Sequence, residues 1–275
     1  MTLSSSEFDY IRHLLKNECA IVLENGKEYL VDLRLGILAD NEGFSSIHSL
    51  IGHLSKRSEP DLVKKVVDAM TTNETLFFRD HKPFELLQKH LLPELLQNRA
   101  SSRELNIWSA ASSTGQEPYS IAMLIHQHFP QLVNQWNLQI LASDISFTCL
   151  EYAREAVYNQ FEVNRGLPIQ LLIRYFEQKD TRWQLKPEIK NMVKFQELNL
   201  IQTWPFLPKM DIIFLRNVLI YFDLDVKKKI LENVRKVLKP DGYLILGSAE
   251  TTLLIDSAFE RVETSLNVNC YRLAT

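Results

Sequence analysis

Apolar positions recur at helical spacing through the first third of the chain. Phe8, Ile11, Leu14 and Leu15 share one face, and Ser5 or Ser6 is placed to cap the helix that carries them. Asn25-Gly26 interrupts the pattern as a turn. A second periodic stretch, Ile47, Leu50, Ile51 and Leu54, follows a polar break at residues 43–46. A third helix is predicted over 59–70, with Pro60 in its first turn, where a missing N–H costs nothing. These faces predict a small helical bundle packed on something larger.

From Pro83 the pattern changes. A helix over 84–98 leads to a strand at 105–111 and a helix at 119–128. A strand at 138–143, a helix at 147–156, and strands at 193–198 and 211–216 follow. A long helix over 225–238 stops at Lys239-Pro240-Asp241-Gly242, which reads as a turn before a strand at 243–247. The tail, 259–273, alternates enough for a final antiparallel pair. Strand–helix alternation over this length predicts a mostly parallel sheet covered on both faces, so the fold class is α/β. Residues 159–190 fit the alternation poorly and read as an insertion beside the binding edge. Candidate domains are therefore 1–72 and 73–275.

Composition narrows the classes. The chain has 275 residues, 45% hydrophobic and 24% charged, with a net charge of −3. That balance predicts no general attraction to nucleic acid. Cys19, Cys149 and Cys270 are odd in number and widely spaced, which suits neither a disulfide framework nor a zinc site. The opening MTLSSSEFDY lacks the basic and apolar regions of a signal peptide, and no apolar run approaches the roughly 18 residues of a membrane span. A cytoplasmic protein is expected.

The chemistry concentrates at predicted strand ends, where open α/β sheets bind ligands. WSAASSTGQEPYSIAM (108–123) runs from a buried strand through a small-residue loop into a helix. Glu117 sits in that helix's first turn, where it would repel a phosphate and attract an ammonium or sulfonium. The second strand ends in Ser143-Asp144, and a carboxylate there can accept both hydroxyls of a ribose. Asp144 could also cap the following helix. Glu197-Leu198-Asn199-Leu200 lies at the third edge, and FLRNVLIYFD (214–223) delivers Arg216-Asn217 and Tyr221-Phe222-Asp223 to the fourth. TTNETLFFRD (71–80) joins the two parts, and its polar residues beside Phe77 and Phe78 suit a hinge folded over an adenosine. The G-x-G-x-x-G dinucleotide pattern is absent, as are a phosphate loop, a metal cluster and a Ser-His-Asp arrangement. His126 and His128 read as surface residues.

These signals, together with IVLENGKEYLVDLRL, NRGLP, FQELNL and LKPDGYLILGSAE, resemble the CheR-type chemotaxis receptor methyltransferases over nearly the whole chain. The resemblance implies transfer of a methyl group from S-adenosylmethionine to receptor glutamate side chains, on a class I methyltransferase sheet with a small N-terminal helical domain. The insertion matches a small β subdomain that contacts receptors. Asn73, Thr75 and Arg79 match the cofactor-side segment, Glu117 the acid facing the methionine ammonium, and Asp144 the ribose-binding acid. Asn199 and Leu200 would flank the adenine, and Asn217 and Val218 would line the methionine end. Arg79 and Tyr221 match the catalytic positions near the transferred methyl. The implied partners are cytoplasmic helices of chemoreceptors, bound by a monomer without metal, nucleic acid or membrane insertion. Lys56, Arg57, Lys64 and Lys65 are the candidate basic patch for such acidic helices.

The family's usual first loop is A-G-C-S-T-G-E-E-P, where this chain has Ala111 for a glycine and Gln116 for an acid. Alanine there is costly only if its φ is positive. These departures motivate a second reading, a cofactor-holding sensor without transfer activity. An NAD-dependent oxidoreductase is disfavoured by Glu117 and the missing glycine fingerprint.

Overall fold

The computed structural model describes residues 3–57 and 59–274. Its first four elements are helices α1 (Ser5–Cys19), α2 (Glu28–Asn41), α3 (Ile47–Leu54) and α4 (Pro60–Met70). Ser4, one residue before the expected caps, starts α1. Its hydroxyl accepts the Glu7 amide while the Glu7 carboxylate accepts the Ser4 amide, a reciprocal box that Ser5 and Ser6 cannot form with Glu7. The Ser4 hydroxyl and amide, both donating to the carboxylate, and His48 hold the Glu7 carboxyl down to about 2. Helix α2 is an addition to the predicted set. Val31, Leu35 and Ala39 point inward, but Tyr29, Leu33 and Ile37 leave the outer face apolar too, so no period stands out. The four helices share a core of their own around Ile11, Leu35, Leu50 and Val66.

The predicted helix over 84–98 is a longer helical run: α5 (Lys82–Leu86), a π turn (Leu87–Leu91) and α6 (Leu92–Asn98). The wide turn directly precedes Pro93, which has no N–H to give to the previous turn. Then come β1 (Glu104–Ala110), α7 (Gln116–His128), α8 (Pro130–Gln135), β2 (Asn137–Asp144) and α9 (Phe147–Glu155). Helix α8, six residues long, is too short to show a period. The insertion contains β3 (Val157–Asn159), α10 (Gln160–Asn164), α11 (Ile169–Tyr175), β4 (Phe176–Lys179), β5 (Arg182–Leu185) and α12 (Pro187–Lys190). The chain closes with β6 (Val193–Glu197), β7 (Met210–Leu215), α13 (Leu224–Val237), β8 (Leu238–Leu246), β9 (Phe259–Arg261) and β10 (Cys270–Leu273).

Seven strands form one sheet in the order β6-β2-β1-β7-β8-β10-β9, all running the same way except β10, which is antiparallel to both β8 and β9. Strand order reverses between β1 and β7, which opens a crevice at their carboxyl ends. Helix α13 stops where expected, but the predicted turn at Lys239-Pro240-Asp241-Gly242 is extended chain within β8. Pairing passes from Met210↔Leu238 to Ile212↔Tyr243, so these residues bulge out of the ladder. Arg99, bonded to Asp241 and Asp211, and Lys239, also on Asp211, hold the bulge in place.

In the insertion, β3, β5 and β4 form a separate antiparallel sheet. It is locked to the 71–80 segment. The Phe77 ring lies 5.1 Å from Tyr158 and 5.8 Å from Phe176, and Gly166 (φ +87°) passes so close that an added Cβ would sit 2.1 Å from the Phe77 carbonyl oxygen. Among the described residues, no helix is long and apolar enough to cross a membrane.

Candidate active site

At the carboxyl ends of β1, β2, β6 and β7 lies an open cavity. Asn73, Thr75, Arg79, Glu117, Asp144, Asn199, Leu200, Asn217, Val218 and Tyr221, all singled out from the sequence, line it. Parallel strands explain the convergence, because each delivers the residue after its last apolar position to the same edge.

The loop after β1 forms the floor. Ala111 (φ +54°), Ser113 (φ +49°) and Gly115 (φ +93°) all adopt left-handed backbone. Gly115 has no room for a side chain: a Cβ would lie 3.0 Å from that of Ala153 and 3.2 Å from the Tyr158 hydroxyl. Ala111 thus carries the strain that the sequence left conditional. A left-handed L-residue costs about 1–2 kcal/mol, and glycine adds roughly 0.4–1 kcal/mol of unfolded-state entropy. Ala111→Gly is accordingly expected to be neutral or to stabilise by up to about 1 kcal/mol, the reverse of an ordinary Ala→Gly change, as read by thermal unfolding.

Asp144 is buried, and its carboxylate accepts the Ser113 amide at 2.7 Å and the Ser146 amide at 2.9 Å. It does not cap α9; Ser146 does, through its hydroxyl to the Cys149 amide. Burial pushes the Asp144 carboxyl above its usual range, against the pull of the amides. With one amide on each oxygen, the carboxylate retains lone pairs for a diol.

Glu117 is almost fully buried at the start of α7. One oxygen accepts the Ser109 hydroxyl at 2.8 Å, and the other meets the Arg216 guanidinium at 2.7 Å. Arg216, brought to this edge beside Asn217 but given no role from the sequence, is the partner of Glu117. Its side chain is 1% exposed, and it also reaches the Asp80 carboxylate at 2.6 Å and the Arg79 carbonyl at 3.0 Å. One cation thus joins two carboxylates, of which Glu117 lines the cavity and Asp80 does not. The signal for Arg216 was available: a buried apolar strand, β7, runs directly into it.

The 71–80 segment divides its labour. Thr71 to Thr75 and Arg79 line the cavity, whereas Phe77 and Phe78 are buried behind it and do not form an adenosine platform. Ser113 donates to the Asn73 carbonyl at 2.7 Å, and Arg34 of α2 donates to the carbonyls of Met70 and Thr71. The helical domain also supplies a wall. Cys19 and Ile21 line the cavity, the Asn199 amide group donates to the Glu18 carbonyl at 2.7 Å, and the Val22 amide donates to the Tyr221 carbonyl at 3.3 Å. No local pattern could have announced that wall. Burial pushes the Cys19 thiol up to about 11, so it lines the cavity as an apolar group.

The set of donors fits an S-adenosylmethionine-like ligand. Ile145, Leu198 and Leu200 offer an apolar wall, Asp144 an acceptor pair, and Glu117 a buried carboxylate at the other end. The Ser112 hydroxyl, buried beside Ala111 on the same lining, has no partner within the protein. Among the described residues, no group of three or more His, Cys, Asp or Glu side chains is placed to hold a metal ion.

Comparison with known proteins agrees. Residues 73–268 match the family described as "CheR methyltransferase, SAM binding domain", and residues 6–71 match "CheR methyltransferase, all-alpha domain". The chain is 41% identical over 268 residues to chemotaxis protein methyltransferase Cher2 of Pseudomonas putida, covering 96% of this chain and 97% of that one. Chemotaxis protein methyltransferase 1 of Pseudomonas aeruginosa is 41% identical with the same coverage. The protein of that name from Vibrio cholerae is 41% identical over 95% of both chains.

Proposed function

Because the chain belongs to the CheR methyltransferase family and carries its SAM-binding domain, we propose that it esterifies glutamate side chains on the cytoplasmic helices of chemoreceptors. The observation that carries this reading is the single cavity joining an acid-lined end, the Asp144 carboxylate and the Arg79 and Tyr221 side chains. S-adenosylmethionine, when bound, supplies an electrophilic methyl on a sulfonium.

The acceptor needs no general base, since a glutamate of pKa near 4.3 is already an anion at pH 7. The protein's task is to hold the carboxylate in line with the methyl and to exclude water, and such alignment can supply about 7–11 kcal/mol. Glu117, held rigid by Ser109 and Arg216, holds the ammonium of the methionine moiety, with Asn217 and Val218 beside it. Asp144 takes the ribose hydroxyls, and Asn199 and Leu200 flank the adenine. Arg79 donates to the Glu74 carbonyl at 2.9 Å and stands at the cavity surface, where its charge draws in the acceptor. Tyr221 orients the acceptor or the methyl and exchanges no proton.

Two experiments test these roles. The whole reading requires transfer of radiolabelled methyl from S-adenosylmethionine to a receptor cytoplasmic fragment, with base-labile product; absence of transfer alongside intact cofactor binding would favour the sensor reading instead. For Tyr221→Phe, turnover is expected to fall about tenfold, roughly 1.4 kcal/mol in the barrier, with S-adenosylhomocysteine affinity unchanged. Equal turnover would remove the hydroxyl from the mechanism.

Two members of the basic patch considered for docking are in exposed ion pairs: Lys64 lies 3.3 Å from Glu197 and Lys65 2.6 Å from Glu42.

A further inference from the structure

We infer that Glu250, which lies outside the cavity lining, positions the methionine end of the cofactor site through the turn that follows β7. Its carboxylate is 4% exposed and serves three backbone amides. One oxygen accepts Gly247 at 2.7 Å and Asn217 at 2.8 Å; the other accepts Val218 at 2.9 Å. Asn217 and Val218 are the residues of that turn that face the cavity. Asn217 lies in left-handed backbone at φ +58°, a region that asparagine enters more readily than most side chains and that suits the tight turn here.

The support is built for this purpose from both sides. At Gly247 a Cβ would lie 2.7 Å from the Glu250 carboxylate and 2.9 Å from the Asn217 nitrogen, so only glycine lets the two segments approach. The Asn269 side-chain amide donates to the carbonyls of Gly247, Ser248 and Glu250 at 2.9, 3.1 and 2.8 Å, which pins the loop that presents the carboxylate. A carboxylate that draws two consecutive amides into the protein turns the remaining groups of Asn217 and Val218 toward the ligand. Glu250 is thus a positioning residue, acting through those two.

The inference rests on the cofactor occupying this cavity, and the test separates the two ideas. Wild-type protein that fails to bind S-adenosylhomocysteine would overturn the cofactor placement and, with it, this role. In Glu250→Gln, one carboxylate oxygen becomes an amide nitrogen that cannot accept from a backbone N–H. The expected result is at least a fivefold rise in KM for S-adenosylmethionine and in Kd for S-adenosylhomocysteine. The KM for a receptor fragment should stay within twofold of wild type. A purely structural contribution would lower the melting temperature and the active fraction but leave the cofactor KM of the folded enzyme alone. A rise smaller than fivefold therefore overturns the inference. If that variant does not fold, hydrogen exchange on the wild type decides. The amides of Gly247, Asn217 and Val218 should exchange at least a hundredfold more slowly than unprotected peptide, and more slowly still with S-adenosylhomocysteine bound. Rapid exchange, or exchange indifferent to the ligand, overturns it.

Discussion

Arg216→Met is expected to lower the unfolding free energy by about 3–5 kcal/mol, the usual cost of removing one member of a buried ion pair. The substitution keeps an unbranched side chain of similar reach, so little of the effect is lost packing. What it leaves behind is Glu117, nearly buried, with only the Ser109 hydroxyl as a side-chain partner. The Asp80 half of the network should matter far less. That carboxylate is 41% exposed, and screening by water limits such a pair to about 1 kcal/mol or below. Asp80→Asn is the matching control. Urea denaturation of both variants at pH 7 measures the difference. Loss of less than about 1 kcal/mol in Arg216→Met would mean that Glu117 is solvated or re-paired and that the guanidinium is not the organising cation. Cofactor affinity should fall in the same variant, because Arg216 also holds the Arg79 carbonyl and so the end of the 71–80 segment.

The second large effect is on binding. Asp144→Ala is expected to weaken S-adenosylhomocysteine binding by about 1.5–3 kcal/mol, the worth of hydrogen bonds to a charged acceptor. Calorimetry at pH 7 reads it directly, and an unchanged affinity would remove Asp144 from the ribose site. The same residue makes a pH prediction. Burial raises its carboxyl above the ordinary aspartate value. For the fold, the sign is unfavourable: the ionised form costs stability as pH rises from the unfolded value, near 3.9, through the raised folded value, and acidification relieves that cost. For the ligand the sign is opposite, since the ionised carboxylate is the better acceptor of two hydroxyls. Affinity should therefore begin to fall on acidification at a pH above that at which a free aspartate titrates. Asp144→Asn should flatten that part of the profile; a profile unaltered in the variant would assign the pH dependence to another group.

Much of this site was legible in the sequence, for one reason. In a parallel sheet, an apolar run followed by a polar residue names both the strand and the edge to which it delivers. Asp144 at the end of β2, Asn199 beyond β6 and Asn217 beyond β7 follow this pattern and reach one cavity. Glu117 was found because a small-residue loop between strand and helix leaves few places for a ligand. The insertion was visible as a break in the alternation, though its separate three-stranded sheet was not.

What stayed hidden depended on contacts between distant residues or on the sign of a torsion. Glu250 is 33 residues from Asn217, and the Cys19–Ile21 wall belongs to a different core. Helix α2 escaped because apolar residues on two faces cancel the period that would reveal it. Lys239-Pro240-Asp241-Gly242 has turn-forming residues, yet Arg99 and Lys239 bind Asp211 and Asp241 and fold the stretch into a bulge of β8. Local preference was outweighed by charge pairs made across the sheet.

The sequence by itself determined the strand–helix alternation of the main sheet, the α/β class and much of the set of residues at the carboxyl edge, because periodicity and strand direction are local properties that burial enforces. Only the tertiary structure decided that Arg216 clamps Glu117, 99 residues away, and Asp80, 136 residues away. It alone decided that Ala111 lies at positive φ. The pairing of buried charges follows from which side chains meet after the chain has folded, and a strained torsion persists only because those surrounding contacts hold it.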